Sequence, residues 1–303
     1  MRARPTMKRR GTLSASARRR HLRHEFDARV EQEWRRYGRE PRRVLARTLR
    51  DRFLARHLAR STGLTLELGP GPGRFTPTLL RATRGRVLAV DLSREVLTRA
   101  RAHVGRTGGA RRVAWLQGAG EHLPLANRSV DRAILLGNIV CFAAKDGGHL
   151  LREIARVVRP GGELVADFAT PAGATQEFLA LVARRRQLPR ILRRPRFYLI
   201  DGVLASGYQP FLPARLATWE FQFYTAADVR QALGRAGFRV RDAMAIAPLG
   251  WATDRIAASA IRDRRTWQNL LGLEERIGRR PGTLETGHGL IVSAVRAPRP
   301  RGG

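Results

Sequence analysis

Residues 64–91 read LTLELGPGPGRFTPTLLRATRGRVLAVD and carry the most specific structural signal in the chain. A short apolar run, Leu64–Leu68, predicts a strand and passes directly into a glycine-rich turn, Gly69–Gly73. A helix-compatible segment follows, and a second apolar run, Gly85–Val90, predicts another strand that ends in an acid, Asp91. A strand, a glycine turn, a helix and a strand closed by an acid together indicate a nucleotide-binding βαβ unit.

The glycine turn and its two acids narrow the class of ligand. The glycines alternate as G-x-G-x-G, whereas dinucleotide sites use G-x-G-x-x-G around a pyrophosphate. Glu67 precedes the first glycine by two residues, and its carboxylate would repel a pyrophosphate but attract an ammonium group. Asp91 can accept hydrogen bonds from both hydroxyls of a ribose. These residues therefore predict a ribose joined to a cationic amino-acid moiety. A P-loop is excluded, because the chain has no G-x-x-x-x-G-K-[ST].

Apolar runs and helical segments continue to alternate after Asp91. Strands are predicted at 112–116, 130–136 and 163–169, and helices at 93–104 and 149–158, the second ended by Arg159-Pro160-Gly161-Gly162. This order predicts an α/β, Rossmann-like, doubly wound and mostly parallel sheet with helices on both faces. Ligands of such sheets bind at the carboxyl ends of the strands, where Glu67, Asp91, Ala119 and Asn138 are expected.

Several segments, in the same chain order, resemble the motifs of class I S-adenosylmethionine-dependent methyltransferases. They are residues 66–73, 87–91, 118–124, 152–162, 224–225 with 236–240, and 289–296. The resemblance covers residues 60–170 well and 224–296 more loosely. It implies a seven-stranded sheet and S-adenosyl-L-methionine as the cofactor.

The resemblance also implies a role for individual cofactor-binding residues. Glu67 would face the methionine amino group, Asp91 the ribose hydroxyls and Leu92 the adenine. The turn under the cofactor would comprise Gly69, Pro70, Gly71 and Gly73. Ala119 and Gly120 would line the other adenine face, and Asn138 would contact the methionine portion through its backbone. The family often has an acid where this chain has Ala119, and Glu121 lies close enough in sequence to replace it.

The chemistry requires little from the protein, since a sulfonium is already an activated methyl donor and catalysis is mainly positioning and exclusion of water. The catalytic residue, if any, is left open. His122, His149 and His288 are candidate bases, although structural or exposed roles are expected for them. Asp167 is a candidate base or metal ligand, with a capping or solvent-facing role favoured. No metal cluster is visible, and the single cysteine, Cys141, is expected to be buried.

Composition shifts divide the chain into segments. Residues 1–24 hold nine basic residues and no acid, which predicts a disordered basic arm. Residues 25–61 predict two amphipathic helices, which either pack against the domain or form a lid over the ligand site with Trp34 and Tyr37 near the ligand. The methyltransferase-like domain is predicted over 62–296, followed by a disordered tail, 297–303. A basic, aromatic cap insertion is expected at 171–223, with seven arginines between Arg184 and Arg196, and a second, helical insertion at 248–283.

The net charge of +33 leaves two kinds of partner open. Only Lys8 and Lys145 are lysines among 58 basic residues, which is typical of the coding bias of a GC-rich genome. The low number of acids, 25, keeps a nucleic acid or an anionic membrane surface open as a partner. No apolar run approaches the roughly 20 residues of a membrane span, no signal peptide is evident, and a cytoplasmic location is expected.

Three functions follow from these features. The favoured one is a methyltransferase acting on oxygen, nitrogen or carbon of a small organic acceptor. The alternatives are a methyltransferase directed at RNA or another polyanion, and a protein that binds S-adenosylmethionine without catalysis. Residues 137–140, GNIV, differ from the Asn-Pro-Pro-Tyr type of motif in enzymes that methylate planar amines, which disfavours the RNA alternative.

Overall fold

A computed structural model describes residues 14–58, 61–176, 206–209, 220–250 and 254–298. Its described strands are β1 Leu64–Leu68, β2 Arg86–Asp91, β3 Val113–Gln117, β4 Val130–Leu135, β5 Val158–Phe168, β6 Tyr208–Gln209, β7 Phe221–Gln222, β8 Phe238–Ile246 and β9 Gly289–Arg296. Seven of them form one sheet in the order β3-β2-β1-β4-β5-β9-β8, and β6 pairs with β7 in a separate hairpin. In the large sheet β9 runs in the direction opposite to the other six strands. The predicted Rossmann-like fold is confirmed.

Helices cover both faces of the sheet. Those described are α1 Ala15–Arg39, α2 Pro41–Leu58, α3 Thr76–Ala82, α4 Arg94–Val104, α5 Ile139–Phe142, α6 Gly147–Val157, α7 Ala226–Arg235, α8 Asp254–Ala260 and α9 Arg264–Gly278. Successive strand residues point to opposite faces, so Leu135 joins the core under α6 and α7 while Ile134 joins the core under α2, α3 and α9. No helix of the described residues combines the length and hydropathy that a bilayer crossing needs.

The chain order reverses beside β1. This strand pairs in parallel with β2 on one side and with β4 on the other, so the crossovers leave β1 in opposite directions. The loops after β1 and β4 therefore diverge at the carboxyl edge and leave a crevice between them. The glycine turn follows β1 directly and opens into this crevice.

Most strand boundaries agree with the sequence analysis, and β5 is the largest departure. It begins at Val158 and not at 163, because the Arg159–Gly162 segment continues the strand after α6 has ended. The pairing with β4 shifts register there, from Val130 opposite Val158 to Arg132 opposite Glu163. Gly161, with φ +74°, lies within this irregularity. The Pro-Gly-Gly sequence thus ends the helix, as predicted, but does not delay the strand.

The N-terminal region is more ordered than predicted. Helix α1 begins at Ala15, so residues 15–24 are helical and the prediction of a disordered arm over 1–24 is wrong for them; residues 1–13 lie outside the described residues. Arg18 explains the extension, because its buried guanidinium pairs with Glu220 at 2.7 Å and Asp146 at 2.5 Å. The predicted break is confirmed: α1 ends at Arg39 and α2 begins at Pro41, a favoured first helical residue.

The two predicted insertions are described to different extents. Within 171–223, the structure describes a helical segment at 171–176 and the β6–β7 hairpin, while the Arg184–Arg196 stretch lies outside the described residues. Within 248–283, α8 and α9 pack on α2 and β8, which confirms the expected helical cover. Of the predicted tail, 297–298 are described, and Ala297 N donates to Gly237 O.

Candidate functional site

A cavity of about 700 Å³ lies at the carboxyl edge of the sheet, over the reversal of chain order. Five segments of the carboxyl edge contribute to its lining: the glycine turn after β1, the end of β2, the 120–121 loop, the loop after β4 and the segment after β5. Eight of the eleven predicted cofactor-binding residues line it: Gly69, Pro70, Gly71, Asp91, Leu92, Gly120, Glu121 and Asn138. Most of the residues that local sequence motifs indicated for the cofactor site therefore line this cavity.

The three glycines of the turn have different structural roles. Gly69 and Gly71 have φ of +65° and +54° and line the cavity, and Gly69 N donates to Val90 O at 2.7 Å, which ties the turn to β2. A Cβ at Gly71 would meet open space, so its backbone is accessible to a ligand. Gly73, φ +80°, lies outside the lining, and its Cβ would crowd Ala100 and Val104 of α4. Gly73 is thus placed for helix packing, in contrast to its predicted place under the cofactor.

Glu67 lies beneath the turn and not in the cavity lining. Its side chain is buried and its Oε2 accepts a hydrogen bond from Thr76 Oγ1 at 2.7 Å, at the start of α3. Burial raises the pKa of Glu67 to about 7, because a desolvated carboxylate is disfavoured, and the nearby Asp91 adds to the rise. A cation close to the Glu67 carboxylate would stabilise its ionised form.

Asp91 is held at the end of β2 and lines the cavity. Its Oδ1 accepts from Ser93 N at 3.0 Å, and burial raises its pKa to about 6, with a further rise from the carboxylate of Asp27. Asp27 belongs to α1 and accepts a hydrogen bond from Ser93 Oγ. Helix α1 thus brings a second acid beside the one predicted for the ribose, a contact that local sequence patterns do not reveal.

The 119–121 loop lies opposite the end of β2. Gly120 is buried, and a Cβ there would be 2.7 Å from Leu68 Cδ2, so only glycine fits without movement. Glu121 is buried, lines the cavity and accepts a hydrogen bond at its carbonyl from His149 Nε2, 3.0 Å away. Ala119 lies outside the lining and forms a bridge with His122. Glu121 is therefore the side chain of this loop that can reach a ligand.

The loop after β4 is held by Asp167 from the end of β5. The completely buried Asp167 accepts at Oδ1 from Gly137 N, 2.9 Å, and Asn138 N, 2.7 Å, and at Oδ2 from Arg50 Nε, 2.7 Å. Asn138 has φ +63°, and its buried Oδ1 has no hydrogen-bond partner in the described part of the chain. Asp167 thus fixes the loop before α5, and the expected solvent-facing role is wrong because the residue is completely buried beside Arg50.

None of the three candidate histidines is placed as a base in the cavity. His288 lines it, but its Nδ1 lies 3.0 Å from Arg50 Nη2, which can only donate, so the neutral ring carries its proton on Nε2. His149 and His122 are exposed and meet edge to face, with ring centroids 5.1 Å apart. Cys141 is buried as expected, and burial raises the pKa of its thiol.

Helix α1 contributes Phe26 and Val30 to the cavity lining. The Phe26 ring meets Phe142 edge to face at 5.3 Å, and Phe142 meets Phe221 at 4.9 Å. Trp34, expected near the ligand, instead stacks on His103 at 3.9 Å outside the lining; the side chain of Tyr37 lies outside the described residues. His103 Nδ1 donates to Pro72 O at 2.9 Å, so Trp34 reaches the glycine turn indirectly.

Comparison with known proteins gives consistent matches. A family model described as a methyltransferase domain matches residues 65–162. The demethylmenaquinone methyltransferase of Mycobacterium marinum is 30% identical over 199 residues, 60% of this chain and 74% of that protein. The ubiquinone/menaquinone biosynthesis C-methyltransferase of Rubrivivax gelatinosus is 35% identical over 120 residues, 38% of this chain and 43% of that protein.

A solved structure gives a likeness over nearly the whole chain. The Burkholderia thailandensis 1,6-didemethyltoxoflavin-N1-methyltransferase, with bound 1,6-didemethyltoxoflavin and S-adenosylhomocysteine, aligns with a TM-score of 0.59 at 16% identity, over 96% of this chain and 94% of that one. At this identity the likeness shows the fold alone. The chain spans less than half the length of the first curated relatives that it matches.

Proposed function

Because the chain belongs to the class I S-adenosylmethionine-dependent methyltransferase family, we propose that it transfers the methyl group of S-adenosyl-L-methionine to a small organic acceptor. The observation that carries this proposal is the single cavity wall on which Asp91, Gly71 and Asn138 meet at the reversal of chain order. Relatives named for quinone precursors and other small molecules support a small acceptor.

The residues present fit the cofactor chemically. The Glu67 carboxylate lies beneath Gly69 and Gly71 and is suited to the ammonium group of the methionine portion, and Asn138 Oδ1 is a buried acceptor that still lacks a donor among the described residues. Asp91 would accept from the ribose hydroxyls. Leu92 and Gly120 would enclose the adenine, and Glu121 is the acid nearest to its amino group in this loop.

The mechanism is one of positioning. The cofactor supplies an electrophilic methyl group on a sulfonium, so the protein must align an acceptor in line with it and keep water away. Asp167 fixes the loop of Gly137 and Asn138 through two backbone hydrogen bonds, and Arg50 holds Asp167 in place. Helix α1 contributes Phe26 to the cavity lining, where the apolar ring would help to exclude water.

Binding of the cofactor is tested first, by isothermal titration with S-adenosylhomocysteine. Asp91→Ala should abolish binding, because it removes the acceptor for the ribose hydroxyls from the cavity wall. The matched control is Glu95→Ala, which removes an exposed acid of α4 that pairs with Arg99, and this variant should bind as the unaltered chain does. Retention of binding by Asp91→Ala would refute the site assignment.

The class of acceptor is tested by transfer of labelled methyl groups from S-adenosylmethionine. Cell extract is separated into small-molecule, RNA and protein fractions, and label should appear in the small-molecule fraction. The net charge of +33 supports RNA or another polyanion as the second candidate acceptor, so label in RNA would replace the leading proposal with that one. Cofactor binding without transfer to any fraction would support the third, non-catalytic candidate.

A further inference from the structure

Four phenylalanine side chains form a connected group, the ring cluster, in the cavity lining: Phe26, Phe142, Phe221 and Phe223. The ring centroids of Phe26 and Phe142 lie 5.3 Å apart, and both rings meet edge to face. Phe142 meets Phe221 in the same way at 4.9 Å, and the tilted ring of Phe223 follows, 4.8 Å from Phe221. These contacts place the four rings together on one part of the lining, although they come from α1, α5 and the β7 segment.

Helix α5 places the ring cluster beside the residues proposed for the methionine portion of the cofactor. The helix begins directly after Asn138, and Phe142 N donates to Asn138 O at 3.1 Å, one helical turn away. Ile139, in the same turn, packs against Gly69, since a Cβ on that glycine would overlap Ile139 Cδ1. One turn of helix advances about 5 Å. The ring cluster therefore begins about one helical turn from the proposed place of the methyl donor, where an acceptor has to bind.

Backbone hydrogen bonds hold the β6–β7 hairpin at the same edge of the sheet. Tyr224 N donates to Ala169 O at 2.9 Å, directly after β5, and Ala169 itself lines the cavity. Phe223 N donates to Gly207 O at 2.6 Å, which joins the two arms of the hairpin. The rings of Phe221 and Phe223 are therefore fixed at the carboxyl edge by the main chain as well as by their mutual contact.

The ring cluster leaves apolar surface in the cavity. Phe221 is buried, whereas Phe26, Phe142 and Phe223 are half-buried, and all of them line the cavity. Covering apolar surface stabilises a bound molecule in proportion to the area removed from water. An apolar part of the acceptor is therefore expected to pack on these three rings.

The charged groups next to the ring cluster pair with one another and do not line the cavity. Glu220 precedes Phe221 in the chain and accepts a hydrogen bond from the buried Arg18, which also pairs with Asp146. None of these three charged residues belongs to the cavity lining.

Two arginines that do line the cavity also have carboxylate partners. Arg29 pairs with Glu25 at 2.7 Å, and Arg43 pairs with Glu40 at 2.8 Å. Neither of these arginines therefore requires a charged group on the acceptor.

An aromatic molecule fits the ring cluster better than a saturated one of the same size. Contacts between aromatic rings stabilise beyond the burial of area, because the positive edge of one ring meets the negative face of another. We propose that the methyl acceptor is an aromatic compound whose ring packs among Phe26, Phe142 and Phe223, and that these residues select it over non-aromatic molecules. This inference rests on the proposed function and assigns the substrate class of the same site.

The test is titration of two matched probes, 2-naphthol and decahydro-2-naphthol, into the protein saturated with S-adenosylhomocysteine. Both probes have the same fused carbon skeleton and one hydroxyl group, but only 2-naphthol is flat and aromatic. Burial of apolar area alone would give the two probes similar affinities. We expect 2-naphthol to bind at least about fivefold more tightly, because ring contacts add to the burial of area.

Variants attribute the preference to the ring cluster. Phe142→Leu and Phe26→Leu should each weaken binding of 2-naphthol by about fivefold and binding of decahydro-2-naphthol by no more than about twofold. Binding of S-adenosylhomocysteine should stay within about threefold. The two residues lie on different helices, so either variant tests the inference if the other does not fold.

The matched control is Phe238→Leu. This ring is buried at the first residue of β8, which runs parallel to β5, so it lies at the amino edge of the sheet and away from the cavity. The substitution should lower the melting temperature and leave the affinities for both probes unchanged.

Three results would overturn the inference: no binding of 2-naphthol, equal affinities of the unaltered chain for the two probes, or an unchanged preference for 2-naphthol in both ring variants. Failure of the proposed function is a separate outcome, because it appears as absence of S-adenosylhomocysteine binding by the unaltered chain. In that case both probes are titrated into the cofactor-free protein, where the preference for 2-naphthol should persist if the ring cluster binds aromatic compounds.

Discussion

The buried carboxylate of Glu67 lowers the stability of the ligand-free protein and would favour binding of an ammonium group. Its pKa, raised from the ordinary 4.5 to about 7 mainly by burial, means that the ligand-free fold is destabilised once that carboxylate ionises. This rise in pKa corresponds to a loss of about 3 kcal/mol in the free energy of unfolding. The loss develops as the pH increases from about 4.5 to about 7 and is complete above 7. A bound ammonium group would offset that free energy.

We therefore predict that Glu67→Gln stabilises the ligand-free protein at pH 8, by up to about 3 kcal/mol, and makes no difference near pH 4.5. The amide keeps an oxygen for Thr76 Oγ1 but carries no charge. The measurement is urea unfolding of both proteins across this pH range. The same variant should bind S-adenosylhomocysteine more weakly at pH 8, and affinity of the unaltered chain should rise between pH 6 and 8 as Glu67 ionises.

Equal unfolding free energies at pH 8 would contradict the buried, uncompensated state of Glu67. Thr76→Val is the matched control for the local hydrogen bond, because it removes the donor and keeps the carboxylate. It should destabilise the protein and raise the pKa of Glu67 further, which is the opposite shift in stability from Glu67→Gln. The pair of variants thus separates the cost of charge from the contribution of the hydrogen bond.

Whether a site residue could be predicted from the sequence depends on how far along the chain its partner lies. Glu67 and Asp91 were found because each adjoins a strand end and a turn that a short motif defines. Arg50 and Asp27 were not, since their partners Asp167 and Ser93 are 117 and 66 residues away and both look like ordinary helical surface charges. Gly73 fits the motif equally well whether it faces a ligand or packs on α4, and only the fold distinguishes the two.

Helix α1 is the element whose position the site depends on most. It contributes Phe26 and Val30 to the cavity and Asp27 beside Asp91, and its C-terminal half is fixed by Trp34 stacked on His103. Because His103 also donates to Pro72 O, this stack links α1 to the glycine turn. The sequence predicted two helices over the site from apolar spacing but could not tell which aromatic would face the ligand and which would hold the helix.

We predict that Trp34→Ala loosens α1 over the cavity. Loss of the stack removes about 1 kcal/mol of contact with His103, which should speed dissociation of S-adenosylhomocysteine by about fivefold. Stopped-flow displacement measures this rate, and hydrogen exchange of α1 amides should rise in parallel. Trp267→Ala is the control, because this tryptophan packs on the core from α9; it should lower the melting temperature without changing the dissociation rate. An unchanged dissociation rate in Trp34→Ala would show that Trp34 does not anchor α1 over the cavity.

The charge of the whole molecule acts over a longer range than any site and is a poor guide to the acceptor. A net charge of +33 would favour binding of any polyanion through counterion release, irrespective of its chemistry, and such binding weakens steeply with salt. Access to a cavity of about 700 Å³ depends instead on the size of the ligand. Binding driven by net charge and binding inside the cavity can be distinguished by experiment. The first should depend on ionic strength, and the second should depend on contacts with the cavity lining.

We predict that a 20-nucleotide RNA and heparin both bind, with similar and steep slopes of log Kd against log salt between 50 and 300 mM, as expected for charge alone. Affinity for S-adenosylhomocysteine should change little over the same range, because its contacts are buried. Fluorescence anisotropy of labelled RNA and isothermal titration supply the two measurements. RNA should also leave the affinity for S-adenosylhomocysteine unchanged. Displacement of S-adenosylhomocysteine by RNA, but not by heparin, would show that nucleotides enter the cavity and would give the basic surface a role in choosing the acceptor.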